Sequence, residues 1–341
     1  MNHEGFEGRK ADHLRLSLSS AMEATGGSGL DRIQLIHEAL PEMNFSEVSL
    51  ETKFWRYKAA SPLFISSMTA GHKGGEALNH TLARVAGQSR WPMGLGSQRR
   101  ELTDPAAQAE WKKLRKVAPN AFLLSNLGLS QLITTPLKQV LNLVESLSAG
   151  GIFIHANAMQ EVLQPEGTPE FKGGLKALEK LCKASPVPVV LKETGCGFSN
   201  ATLKRLKSTG LSAVDVSGFG GTHWGRIEGG RAAEASLQRS AALTFKNWGI
   251  STVDSLLNAP KLNLEIWGSG GIRSGLDAAK TIALGAQKVG FAKPALERAL
   301  EGEESLGKWM ELMEFELKVA LFCTGSKNPE ALRKGKKWQK I

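Results

Sequence analysis

Eight short apolar or β-branched runs punctuate the chain, and each stops abruptly at Gly, Ser, Thr, Asn or a charged residue. The first four are residues 63–66 running into Met68 and Thr69, 92–95 into Gly96 and Ser97, 121–124 into Ser125 and Asn126, and 152–154 into His155. The second four are 187–191 into Lys192 and Glu193, 213–216 into Ser217 and Gly218, 264–267 into Gly268 and Ser269, and 289–291 into Ala292 and Lys293. Helical spacing of apolar residues fills the intervals, as over 137–147 and 201–206, with Gly150 and Gly210 expected as stops. Strands alternating with helices predict a parallel sheet, and this number of repeats predicts an α/β fold of the (β/α)8 TIM-barrel type. The second run is the weakest, because Pro92, Gly94 and Gly96 make a poor strand interior.

In such a barrel the site lies where strands end and helices begin, so the residues that follow the runs are expected around one pocket. The densest polar cluster follows the fourth run. His155, Asn157, Gln160 and Glu161 offer a proton carrier, two amides and a hard carboxylate oxygen of the kind Mg²⁺ takes. A plain polar loop capping a strand is the alternative reading. Residues 268–273 and 290–294, after the last two runs, are Gly-rich and read as a phosphate cradle, since small residues let backbone N–H groups approach an anion.

At 341 residues the chain exceeds one barrel of roughly 250 residues, with the surplus mainly before Ser61, where residues 48–60 are expected to close the barrel floor. No linker or repeat divides it, so one domain is expected: an N-terminal arm and extension over 1–60, the barrel over 61–325, and a basic tail over 326–341. Net charge is +10, but residues 327–341 hold Lys327, Arg333, Lys334, Lys336, Lys337 and Lys340 against Glu330 alone, so much of the excess belongs to a tail expected to be solvated. Nucleic-acid and membrane partners are therefore not expected. Cys182, Cys196 and Cys323 form no C-x-x-C pair, which argues against a disulfide framework or zinc site. With no signal-like N-terminus or membrane-length apolar run, a cytoplasmic protein is expected.

Several separate motifs, in order, carry a family resemblance. They are residues 9–13 (Arg9, Lys10, Ala11, Asp12, His13), the run 33–41, Met68 to Gly71, 94–99, 125–128, 155–167, 190–193, 215–222 with Trp224, the two cradle segments and 322–325. Over most of its length the chain resembles type 2 isopentenyl diphosphate isomerase, the FMN-dependent enzyme. It departs from the family pattern at Ala70, Ala158, His223, Phe291 and Lys293.

The resemblance implies reversible isomerisation of isopentenyl diphosphate to dimethylallyl diphosphate, in isoprenoid biosynthesis. It assigns FMN to Met68, Thr69, Ser97, Asn126, Lys192, Ser217, Thr222, Gly271, Ile272, Arg273, Ala292 and Lys293. It assigns the diphosphate to Arg9, Lys10, His13, Ser97 and Arg99, Mg²⁺ to Glu161, and the hydrocarbon end to His155, Asn157 and Gln160. NADPH or NADH is implied as flavin reductant, and a homo-oligomer, a tetramer or octamer, as the assembly. His155, Gln160 and Lys192 are the expected catalytic groups. An isolated alkene is a very weak base, so an ordinary side chain is a poor sole acid, and reduced flavin is the family's proposed partner. Lys192 suits the flavin's pyrimidine edge; pairing with Glu193 is its plain alternative, although adjacent strand residues point to opposite faces. Two rivals are an FMN-dependent oxidase or dehydrogenase on the same barrel and a non-catalytic FMN- or phosphate-binding protein. The first fits poorly with Gln160 and Glu161 beside an N-terminal basic pair; the second needs no Lys192 and His155 at one rim.

Overall fold

A computed structural model describes residue 8 and residues 12–68, 75–259 and 264–341, so Arg9, Lys10, Thr69 and Ala70 lie outside the described residues. Among the described residues, three short strands come first, β1 (Ile33–Leu35), β2 (Thr52–Phe54) and β3 (Tyr57–Ala59). The eight apolar runs then become β4 (Leu63–Ile65), β5 (Met93–Gly94), β6 (Leu123–Gly128), β7 (Gly151–His155), β8 (Val189–Lys192), β9 (Ala213–Asp215), β10 (Glu265–Gly268) and β11 (Lys288–Phe291). A last strand, β12 (Trp338–Lys340), follows the barrel. Each barrel strand pairs in parallel with its sequence neighbours, and β11 returns to β4 to close the ring. The expected barrel is present. The weak second run yields only a two-residue strand, where a Cβ on Gly94 would lie 2.9 Å from the Phe153 ring.

Helix Leu137–Ser146, between β6 and β7, buries one apolar stripe of Val140, Leu143 and Val144. The expected stop at Gly150 needs correction. The chain leaves that helix at Leu147, and Ser148 makes the left-handed turn with φ 46°; Gly150 is small because the Phe122 ring occupies the space of its Cβ. Gly210, with φ +82°, does take a left-handed conformation after Asn200–Arg205.

The β2–β3 hairpin, within residues 48–60, packs Phe54 and Ala59 onto rings of the barrel interior. Phe54, 1% exposed, packs edge-on against Phe64 and Trp267 at ring separations of 6.2 and 5.4 Å, and Phe153 meets Trp267 at 6.0 Å. Each such burial stabilises by roughly 2–3 kcal/mol. These rings fill the barrel's lower interior, so the open space lies at the strands' C-terminal ends.

The basic C-terminal segment is folded, which corrects the solvated-tail expectation. Helix Pro329–Gly335 buries Leu332, and β12 pairs antiparallel with β1 in the register Leu35 to Trp338 and Ile33 to Lys340. Lys337 Nζ donates to the carbonyls of Thr324 and Gly325. An apolar stripe and an available strand edge decide its fate, and the lysines project around them. Among the described residues, no helix is long and apolar enough to cross a membrane.

Candidate active site

One cavity opens at the C-terminal ends of the barrel strands. Of the residues expected to hold a flavin, Met68, Ser97, Asn126, Lys192, Ser217, Thr222, Gly271, Ile272, Arg273, Ala292 and Lys293 all face it. His13, Arg99, His155, Gln160 and Glu161 line the same cavity. Asn157 does not; it is 3% exposed, caps helix Ala158–Leu163 by accepting from Gln160 N at 2.9 Å, and donates to Thr194 Oγ1. Its contribution is to fix where Gln160 starts.

β7 ends at His155, whose Nδ1 lies 3.0 Å from Asn126 Oδ1. Asn126 Nδ2 donates to the Leu95 carbonyl at 2.9 Å, which fixes the amide with its oxygen toward the imidazole. An amide oxygen only accepts, so His155 Nδ1 carries the proton and, in the neutral ring, Nε2 has acceptor character.

Lys192 closes β8 and is 4% exposed. Its ammonium donates to Glu193 O at 3.0 Å and Ser217 Oγ at 3.3 Å and lies 3.8 Å from Asp215 Oδ2. The Glu193 carboxylate turns away and accepts from the backbone N–H groups of Thr194, Cys196 and Gly197. The buried counter-charge of Lys192 is thus Asp215, whose Oδ1 accepts from Ser269 Oγ at 2.7 Å. Burial pushes the Asp215 carboxyl above its ordinary range, against the opposing pull of Lys192 and Ser269. Ser217 holds φ at 37°, a left-handed conformation rare outside glycine.

On the other lining segments, Glu228 organises two expected residues. Fully buried in helix Trp224–Arg231, it accepts from Gln160 Nε2 at 3.0 Å and Arg231 Nη1 at 2.6 Å and meets His13 Nε2 at 2.9 Å. Burial alone would raise its carboxyl, but His13, Arg231 and Gln160 together hold it below the ordinary value. The His13 ring also packs edge-on against Trp224 at 5.1 Å. Glu161 faces the cavity with Oε2 accepting from Thr168 N at 2.6 Å. No cluster of three or more His, Cys, Asp or Glu suited to a metal occurs among the described residues.

The two Gly-rich segments read as a phosphate cradle meet at this cavity. Gly270 and Gly271 have φ of +98° and +73°, and a Cβ on Gly271 would lie 2.6 Å from Gly220 O. Ala292 precedes helix Lys293–Glu301, so the positive end of that helix faces the cavity. Between the cradle's two cations lies a residue the sequence did not flag: Glu23, 2.8 Å from Arg273 Nη2 and 2.6 Å from Lys293 Nζ. Glu228 and Asp215 escaped sequence reasoning too. Asp215 offered one signal, a charge inside an apolar strand run.

Comparison with known proteins agrees with this geometry. Residues 153–339 match the model of the FMN-dependent dehydrogenase family. Among solved structures, a flavocytochrome b2 variant with sulfite bound aligns with a TM-score of 0.67 at 20% identity, covering 99% of this chain and 86% of that one. A mandelate oxidase variant with benzaldehyde aligns at 0.65 with 19% identity, covering 98% and 94%; both show the fold alone. The chain is 52% identical over 337 residues to the isopentenyl-diphosphate delta-isomerase of Bdellovibrio bacteriovorus, covering 97% of each. It is 50% identical to that of Legionella pneumophila strain Corby, covering 94% of this chain and 95% of the relative. With that of Methanoregula boonei it shares 39%, covering 96% and 92%. Half-identity along nearly the whole length, on an FMN-dehydrogenase barrel, places this chain in the type 2, FMN-dependent isopentenyl-diphosphate delta-isomerase family.

Proposed function

We propose that this chain interconverts isopentenyl diphosphate and dimethylallyl diphosphate on reduced FMN. The observation that carries the reading is the convergence on one cavity of an anion cradle, the buried Lys192, and the polar set His13, His155, Gln160 and Glu161. The cradle suits FMN's phosphate: a carboxylate already spans Arg273 and Lys293, and left-handed glycines let backbone approach. Gly271, Ile272, Arg273, Ala292 and Lys293 would hold that phosphate. Met68, Thr69, Ser97, Asn126, Ser217 and Thr222 would hold the rest of the cofactor, with Lys192 at the pyrimidine edge. Reduced flavin, when bound, supplies proton-donor and proton-acceptor chemistry beside an alkene that side chains alone serve poorly.

The chain's own residues bind and orient. Arg9, Lys10, His13, Ser97 and Arg99 grip the diphosphate, with Arg suited to bidentate contact and Lys to a point charge. Glu161 would hold Mg²⁺, an ion that needs few protein ligands and would supply positive charge to the diphosphate. His155, its ring set by Asn126, and Gln160, set by Asn157 and Glu228, border the hydrocarbon end. Trp224 provides an apolar wall that keeps water from the reacting carbons. NADPH or NADH is the proposed reductant, a homo-oligomer of tetramer or octamer size the assembly, and the cytoplasm the location.

The test is conversion of isopentenyl diphosphate followed by NMR, with FMN and Mg²⁺, in the presence and absence of reductant. Turnover confined to the reduced state is expected. Equal turnover with oxidised flavin and no reductant overturns the reading, and flavin reduction by mandelate would shift it to an oxidase or dehydrogenase.

A further inference from the structure

We propose that Glu23 is a built-in occupant of the phosphate cradle, where its carboxylate competes with the cofactor's phosphate for Arg273 and Lys293 and so sets how tightly FMN is held. The inference rests on the FMN reading above. One carboxylate oxygen lies 2.6 Å from Lys293 Nζ, and the other lies 2.8 Å from Arg273 Nη2. These cations come from the loops after β10 and β11, where barrels hold phosphates. The carboxylate is delivered by backbone pairing. Glu23 lies opposite Thr222 in an antiparallel bridge, with His223 N donating to Met22 O and Ala24 N to Gly221 O, each at 2.9 Å. The same loop packs on the cradle, since a Cβ on Gly221 would lie 2.8 Å from Gly271 N. Glu23 is thus held over the anion site by the strand-like segment that also covers Thr222.

The arrangement has a physical reason. The Lys293 side chain is 9% exposed, and an ammonium so withdrawn from water needs a counter-charge when no phosphate is present. Glu297 stands 3.9 Å from Lys293 but is 45% exposed and sits on the same helix, so Glu23 is the closer and better shielded partner. A phosphomonoester carries a charge of about −1.5 to −2 and three acceptor oxygens against one unit on a carboxylate. The phosphate therefore wins the cradle, but each binding event must first expel Glu23. Apparent affinity is the intrinsic affinity multiplied by the fraction of time the competitor is away. Riboflavin lacks the phosphate and meets no such competition.

Apoprotein of the wild type, Glu23→Gln and Glu23→Ala is titrated with FMN and riboflavin by flavin fluorescence, and with inorganic phosphate by thermal shift. Both variants are expected to bind FMN at least about tenfold more tightly, every tenfold being about 1.4 kcal/mol. Riboflavin affinity should stay within about twofold, and stabilisation by phosphate should appear at lower concentration. Unchanged or weakened FMN affinity in a folded Glu23→Gln protein overturns the proposal and makes Glu23 a support for the two cations. No FMN binding by folded wild type sinks the FMN reading instead; in that case the phosphate titration alone decides whether Glu23 competes for the anion site.

Discussion

At Glu228 one carboxylate with no exposed surface holds two residues of the cavity, His13 and Gln160, and takes its charge balance from Arg231. Because its folded pKa is depressed below the ordinary 4.5, its stabilising contribution is complete above that value and is lost as pH falls through the lower folded pKa. Glu228→Gln is expected to flatten the acid limb of a melting-temperature profile between pH 6 and 3, while FMN content is retained and turnover falls at least about tenfold. An acid limb identical to wild type would remove Glu228 from this role. Legibility at this scale followed chain position. Lys192 and His155 could be read because each ends an apolar run. Glu228 sits mid-helix between Ile227 and two glycines, where a charge ordinarily faces solvent. Glu23 meets its partners 250 and 270 residues away, a proximity that no local pattern encodes.

The loops after β10 and β11 and the edge strands divide function from closure at the scale of elements. Gly271 combines a left-handed φ of +73° with the approach of Gly220 O, so Gly271→Ala meets both strain and collision. The substitution is expected to cost about 1–3 kcal/mol and to weaken FMN binding at least about tenfold, read by equilibrium dialysis and urea unfolding. Wild-type FMN affinity in that variant would mean the cradle backbone does not approach the phosphate. The eight barrel strands were legible because a fully buried parallel strand writes a continuous apolar run that ends at a polar residue. β1 and β12 were not, since a three-residue edge strand carries no periodicity, and a cluster of lysines obscured the stripe of helix Pro329–Gly335.

Across the whole molecule the two ends of the barrel do different work. Aromatic rings fill the floor, while polar and glycine-rich loops surround the mouth. Phe54→Ala is expected to destabilise by about 3–5 kcal/mol and leave FMN stoichiometry unchanged, measured by urea unfolding and flavin absorbance. Loss of flavin in a protein that remains folded would show that the two ends are coupled. The pairing of β1 with β12 also shapes the order of assembly. Gln34 and Gln339, hydrogen-bonded across that pair, are 305 positions apart. A ribosome adding about 5–20 residues per second reaches β12 on the order of tens of seconds after β1 has emerged. Throughout that interval Ile33–Leu35 lacks the strand it pairs with in the folded protein. The loops after β10 and β11, proposed above to hold the cofactor's phosphate, emerge late as well, so on that reading cofactor capture waits until translation is nearly complete.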